Sequence, residues 1–100
     1  MPGFQVEVPH QLGRDEARRR LCDFLDRAKE IYKNQVSELT GAWSGDSLDF
    51  VMSTYGFKIT GRLDVDESSV RLAGQLPFAA IAFRGKIESS FAAELKRALA

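Results

Sequence analysis

Between residues 38 and 76 the hydrophobic residues of the chain recur at every second position. This alternation is typical of strands that bury one face. Three four-residue segments interrupt it, SGDS, STYG and DESS, and their Gly, Asp and Ser content suits tight turns. Connections this short oblige neighbouring strands to pair, so the segment predicts a four-stranded antiparallel meander.

Pairing the alternating residues across each turn predicts which side chains are neighbours on the buried face. The residues expected in the two central rows are, in order, Trp43, Leu48, Gly61, Gly74 and Gly41, Phe50, Ile59, Leu76. Glycine costs roughly 0.5 to 1 kcal/mol in a strand interior, so facing glycines indicate close approach of another group. Two interpretations stay open. Gly61 and Gly74 make room for a helix or for the Trp43 indole, or the three residues line a small apolar pocket.

The segments on either side of the meander have their own periods. An alternation of Phe4, Val6 and Val8 with polar residues predicts a first strand. From Arg14 to about Lys33, hydrophobic residues recur at spacings of three and four, which predicts an amphipathic helix of about five turns. A second helix is predicted from about Phe78 to Ala98.

The stretch VPHQLGRDEARRR, residues 8 to 20, holds the one histidine of the chain. Gly13 is predicted to be the N-cap of the first helix, with Glu16 reaching back to its N–H as half of a capping box. Ion pairs at a spacing of four are also predicted, Asp15 with Arg19 and Glu16 with Arg20. The stretch is therefore interpreted as a helix start, and His10 as a turn or capping residue.

The element order β-α-β-β-β-β-α predicts an α+β fold of two layers, with residues 1–100 forming a single domain. Both helices must cover one face of one five-stranded antiparallel sheet. This resembles the TATA-binding-protein-like architecture. With the first strand beside the last, the expected sheet order is 2-3-4-5-1.

The second helix is predicted to begin with residues that are apolar on every side. Its core stripe is expected to be Ala80, Phe83, Ile87, Phe91, Leu95 and Ala98. Phe78, Ile81 and Ala82 fall on roughly the opposite side, which one small sheet cannot also cover. Phe78, Ile81, Ala82 and Phe83 are therefore candidate contacts with a partner, and a loop lying against them is the alternative.

Composition and motifs exclude several classes of function. The net charge is zero and no basic surface is concentrated enough to predict nucleic-acid binding. The longest apolar run has eight residues, against roughly 20 for a membrane span. No signal segment is visible, so the cytoplasm is the expected location. Cys22 and His10 make no metal or catalytic pattern. We expect no cofactor, no metal, no catalytic residue and no enzyme activity.

Four segments resemble one family. They are VPHQLGRDEARRRL, WSGDSLDF, GRLDVDESSVRLAGQLP and GKIE, and the resemblance spans Phe4 to Leu99 in the right order. Together they are similar to the bacterial polyhydroxyalkanoic acid system proteins, linked to the polyhydroxyalkanoate granule region. The chain departs from that pattern in a longer segment, YKNQVSELTGA, before Trp43.

The resemblance implies a cytoplasmic protein of storage-polyester metabolism, located at granules and without assigned catalytic residues. Joined to the apolar start of the second helix, it predicts a non-enzymatic accessory protein. Phe78, Ile81, Ala82 and Phe83 would then associate with a granule, with a granule protein or with a second copy as a homodimer. The alternative is a binding module for a small apolar ligand such as an acyl chain, held between sheet and helices near Trp43, Gly61 and Gly74.

Overall fold

A computed structural model describes residues 3–54 and 56–100 of the chain. Its elements in chain order are β1 (Gly3–Pro9), α1 (Arg14–Ile31), β2 (Val36–Ser44), β3 (Ser47–Thr54), β4 (Phe57–Val65), β5 (Ser69–Gln75), a 3₁₀ helix (Phe78–Phe83) and α2 (Arg84–Leu99). The second strand begins at Val36, inside the segment that departs from the family pattern.

The five strands form one antiparallel sheet in the order β1-β5-β4-β3-β2. This confirms the predicted order and the predicted two-layer α+β class. Helix α2 packs against β1. Helix α1 packs against β4 and against α2. The core between the layers includes Val6, Ala17, Leu21, Leu63, Leu72, Leu95 and Leu99.

The predicted register is right for two of the three hairpins and wrong for β3 with β4. Leu48 pairs with Leu63, and the residue opposite Gly61 is Phe50. The difference is a slip of two positions, because Thr54 pairs directly with Phe57 where a four-residue turn was expected. Tyr55, within the predicted STYG turn, lies outside the described residues. A slip of two leaves every side chain on its expected face, since the side-chain period of a strand is two.

The corrected register gives the glycines different neighbours. One row across the sheet now reads Gly41, Phe50, Gly61, Gly74, Phe4. A Cβ on Gly61 would stand 2.8 Å from Cζ of Phe50, and one on Gly74 would stand 2.7 Å from Cε1 of Phe4. A Cβ would also meet the backbone of the adjacent strand, at the Ala73 carbonyl oxygen for Gly61 and at the Thr60 carbonyl oxygen for Gly74, so the strand backbone and the two phenyl rings together require these glycines. The expectation that Trp43 shares the row is wrong.

The beginning of α1 differs from the predicted capping box. Gly13 is the N-cap, with φ of 81°, but the helix start has no side-chain capping hydrogen bond. The Glu16 carboxylate is instead bound by Arg19 and Arg20, at 2.5 and 2.9 Å. The predicted pair of Glu16 with Arg20 is thus confirmed. Arg19 pairs with Glu16 and, at 3.4 Å, with Asp23, so the predicted pair of Asp15 with Arg19 is wrong.

The predicted second helix is divided in two. A 3₁₀ helix covers Phe78–Phe83, and the α-helix begins only at Arg84. The rotation per residue is larger in a 3₁₀ helix, with three residues per turn, so a stripe drawn at 100° per residue does not continue through both parts. Phe83, placed in the core stripe by that spacing, is exposed.

Candidate functional site

Three of the four exposed large hydrophobic side chains of the described residues lie in one short helix. Phe78 is 73% exposed, Phe83 52% and Ile81 46%, and all three belong to the 3₁₀ helix. Ala82, in the same helix, is also exposed. The structure thus brings the four predicted partner-contact residues together at the surface. We call the helix Phe78–Phe83 the apolar segment.

Local structure explains why these side chains point outwards. Leu76 and Ala80 are fully buried and hold the apolar segment at two points. Between them, Pro77 keeps an extended backbone with φ of −64° and ψ of 154°, and its carbonyl accepts the N–H of Ala80 at 2.9 Å. Residues three apart share a face of a 3₁₀ helix, so Phe78 and Ile81 project together.

Phe57, which sequence reasoning missed, extends this surface, and Ile31 is a further exposed hydrophobic residue at the same end of the sheet. The ring of Phe57, the first residue of β4, lies 6.5 Å from that of Phe83 between centroids. Ile31 ends α1 and is 66% exposed. It precedes β2 by a short connection, so it lies at the same end of the sheet as the start of β4 and the end of β5. The spacing of hydrophobic residues at three and four placed Ile31 in the apolar stripe of its helix, and that interpretation is wrong, because Ile31 is exposed at the last position of α1.

The charged residues that directly follow the apolar segment in the chain are basic. The segment itself has no charged residue, and Arg84 and Lys86 after it are exposed. The first acidic residue after it, Glu88, accepts the backbone N–H of Gln5 at 2.9 Å. The site is therefore an uncharged apolar projection followed by basic residues, which is suited to association with another apolar surface.

The three residues of the predicted apolar pocket lie in different surroundings. Trp43 lies opposite Leu48, with the Arg18 guanidinium 4.7 Å from its ring centroid. On the helix side, Gly61 and Gly74 are in contact with the rings of Phe50 and Phe4, which Phe91 covers from α2.

On the opposite face of the sheet, Gly61 and Gly74 border an open groove of about 710 Å³. The groove is also lined by threonines and by the Arg62 and Asp49 ion pair, whose atoms are 3.0 Å apart. This guanidinium lowers the pKa of the Asp49 carboxyl. The groove lies on the solvent side of the sheet, not between the layers.

Two titratable groups elsewhere in the molecule, His10 and Glu16, are engaged in structure. His10 is buried, its Nδ1 accepts the N–H of Leu12 at 3.2 Å, and its Nε2 lies 3.0 Å from the carbonyl oxygen of Asp66. It therefore ties the connection after β1 to the turn before β5. Hydrogen bonds from Arg19 and Arg20 lower the pKa of Glu16 to about 2. Within residues 3–54 and 56–100, no three His, Cys, Asp or Glu side chains are grouped so as to hold a metal ion.

No helix in the described part of the chain is long and apolar enough to cross a membrane. Neither a curated protein nor a solved structure matches the chain. A family model described as "Putative polyhydroxyalkanoic acid system protein" matches residues 4–99, and that description names no reaction. The match covers nearly the whole chain, from β1 to the end of α2. The chain belongs to the polyhydroxyalkanoic acid system protein family.

Proposed function

We propose that this protein is a non-enzymatic accessory protein of bacterial polyhydroxyalkanoate metabolism that associates with the storage granule through the apolar segment. It acts in the cytoplasm, at the granule surface. Family membership supports the metabolic context. The observation that carries the mode of association is the exposure of Phe78, Ile81 and Phe83 on one short helix.

The shape of the site favours an extended apolar surface over a small ligand. Small-molecule sites are concave and bury most of the ligand. The rings of Phe78 and Phe83 instead project from the molecule, where only a surface larger than themselves can cover them. An acyl chain lodged near Gly61 and Gly74 would have to displace the rings of Phe50 and Phe4. We therefore favour the hydrophobic polymer surface as the target.

The energy available suits a reversible association. Full burial of a Phe or Ile side chain contributes roughly 1.5 to 3 kcal/mol. Phe78, Ile81 and Phe83 are partly covered already, so together they supply several kcal/mol from what remains exposed. The exposed basic residues Arg84 and Lys86, just after the apolar segment, keep the free protein hydrated at this end.

The test is a double variant, Phe78→Asp with Ile81→Asp. Both side chains are exposed, so the fold should survive, while the charges must be desolvated on an apolar surface. Co-sedimentation with protein-free polyester particles and with native granules should both be lost. The matched control is Ser89→Asp with Ser90→Asp, which adds the same charge at exposed positions of α2.

Each outcome of this experiment has a distinct meaning. Equal binding of the two double variants to both particle types would contradict the proposal. Binding to native granules without binding to protein-free particles would move the target from the polymer to a granule protein. A change in sedimentation of the free protein in the Phe78→Asp, Ile81→Asp variant would identify a second copy as the occupant.

A further inference from the structure

The two edge strands of the sheet, β1 and β2, differ in how far side chains from the rest of the chain cover their outer backbone groups. At β1, the N–H of Gln5 donates to Oε2 of Glu88 at 2.9 Å, and Arg84 donates to the carbonyl oxygen of Gly3 at 3.4 Å. Both of these side chains come from the beginning of α2, which lies against β1. Two outer backbone groups of this edge are therefore occupied within the chain, and covering an edge is a common way to prevent further strand pairing.

The other edge, β2, has a register shift between Val36 and Glu38, but from Leu39 to Trp43 its pairing with β3 is regular and no side chain of the described residues covers its outer backbone groups. Its nine residues include no proline and one charged residue, Glu38. The two-residue turn after Ser44 makes Ser44 and Ser47 a hydrogen-bonded pair, and such pairs alternate along an antiparallel ladder. The N–H and C=O groups of Leu39, Gly41 and Trp43 consequently point away from β3. Among the described residues, no hydrogen bond reaches them.

The side chains beside these groups are also incompletely covered. Leu39 and Trp43 lie on the helix side of the sheet and are half-buried. The main packing contacts of the two helices are with β1, with β4 and with each other, so this margin of the sheet has little cover. Gly41, between them, is exposed and offers no side chain that would hinder an approaching backbone.

We propose that β2 pairs antiparallel with β2 of a second copy, around a two-fold axis at Gly41, to form a continuous ten-stranded sheet. In this register Leu39 faces the partner's Trp43, and the outward backbone groups of both strands meet. Glu38 faces the partner's Ser44, so the two carboxylates are not opposed. An isologous contact requires such self-complementarity. Aliphatic and aromatic pairs across strands stabilise antiparallel pairing.

The partner in this pairing is a second copy, because β2 carries both side chains of the contact, Leu39 and Trp43. Two-fold pairing of β2 with itself around Gly41 places the half-buried indole of Trp43 opposite the half-buried side chain of Leu39. This surface is separate from the apolar segment, which lies at the end of the sheet and not along its edge. The proposal does not rest on the proposed function, and the two can fail independently.

The first test uses the unmodified chain. Sedimentation should show a concentration-dependent dimer of twice the 11.2 kDa chain mass. Amide hydrogen exchange should show protection of Leu39, Gly41 and Trp43 that is lost on dilution to the monomer. A monomer at every concentration would overturn the proposal, and so would a dimer in which these three amides exchange freely.

A pair of variants tests the register. Leu39→Lys with Trp43→Lys places like charges opposite each other at both pairs, and should raise the dimer dissociation constant at least about tenfold. Leu39→Glu with Trp43→Lys places opposite charges there and should retain the dimer. Circular dichroism confirms that both fold. Equal dissociation constants for the two variants would overturn the register, whereas Phe78→Asp with Ile81→Asp should leave the dimer unchanged.

Discussion

The phenyl rings of Phe4 and Phe91 stack with 5.5 Å between centroids and 9° between planes. Phe4 ends the row that contains the glycines, and Phe91 belongs to α2, so this contact holds the helix layer on the sheet. Phe50 meets Phe91 edge to face at 6.3 Å. Three rings and two glycines thus form one packing unit at the centre of the fold.

The tight packing of this unit predicts the effect of adding a methyl group at Gly61. Gly61→Ala should lower the free energy of unfolding by about 1–3 kcal/mol, because overpacking a filled core forces its neighbours to move. The new Cβ would stand 2.7 Å from the carbonyl oxygen of Ala73, which belongs to a neighbouring strand and cannot withdraw. Urea denaturation measures the change.

The matched control is Gly85→Ala in α2. A Cβ there meets nothing within 4 Å, and alanine is favoured over glycine in a helix by up to about 1 kcal/mol. Its unfolding free energy should rise or stay level. Equal losses in Gly61→Ala and Gly85→Ala would refute the account of the glycine row.

His10 should contribute to stability through its two ring nitrogens. In His10→Ala, the N–H of Leu12 and the carbonyl of Asp66 lose their partner in a partly buried site. The expected loss is about 1–3 kcal/mol. Gln11→Ala, at an exposed neighbouring position, should stay within about 0.5 kcal/mol of the original chain. A His10→Ala protein as stable as the control would mean that these bonds are not formed in solution.

Glu16 predicts a dependence of stability on acid. Its pKa falls from 4.5 to about 2 on folding, chiefly through hydrogen bonds from Arg19 and Arg20. A carboxyl group whose pKa is lower in the folded state contributes to stability. That contribution is fully present above the unfolded-state pKa and is lost as the pH falls through the folded-state pKa. The stability advantage of the original chain over Glu16→Gln should therefore shrink between pH 4.5 and about 2.

Urea denaturation of the two proteins across this pH range is the measurement. The site is solvent-exposed, so added salt should also reduce the difference. Asp26→Asn, an exposed carboxylate of the same helix, serves as the control. A difference that is constant with pH would show that the cluster of Glu16, Arg19 and Arg20 is not formed.

Arg18 links the beginning of α1 to the β2–β3 hairpin. Its guanidinium lies 4.7 Å from the Trp43 ring centroid, and its Nε donates to the carbonyl oxygen of Gly45 at 2.9 Å. Arg18→Ala should lower the unfolding free energy by about 0.5–1.5 kcal/mol and shift the emission of Trp43, the single tryptophan, to longer wavelength. Lys29→Ala, exposed on the same helix, should change neither. An unchanged emission in Arg18→Ala would argue against the contact.

Much of this fold was predictable because its signals are local. The alternation of apolar residues and the short connections specify which strands pair, since adjacent strands joined by tight turns have little choice of neighbour. The Gly61 and Gly74 pair was predicted in this way, and so was the exposure of Phe78 and Ile81. Each of these conclusions needs only the side-chain period and the length of a loop.

Other features were decided by tertiary structure. The β3–β4 hairpin closes at Thr54 and Phe57, and a slip of two keeps the same face buried, so the hydrophobic pattern alone does not distinguish the two registers. Glu16 binds the guanidinium groups of Arg19 and Arg20 and not the backbone N–H of Gly13, and this outcome depended on competition among these donors. The two sheet edges also differ only in the folded molecule, because Glu88 and Arg84 reach β1 from a distant part of the chain.

The sequence by itself determined the strands, the first helix, the two layers and the apolar character of Phe78–Phe83, because periodicity and turn chemistry act over a few residues. Only the tertiary structure decided that Phe4, Phe50 and Phe91 share the space above the glycines, that Phe83 lies outside the core, and that β2 remains an open edge. These outcomes depend on which distant groups compete for the same space and the same hydrogen bonds, and that competition exists only once the chain has folded.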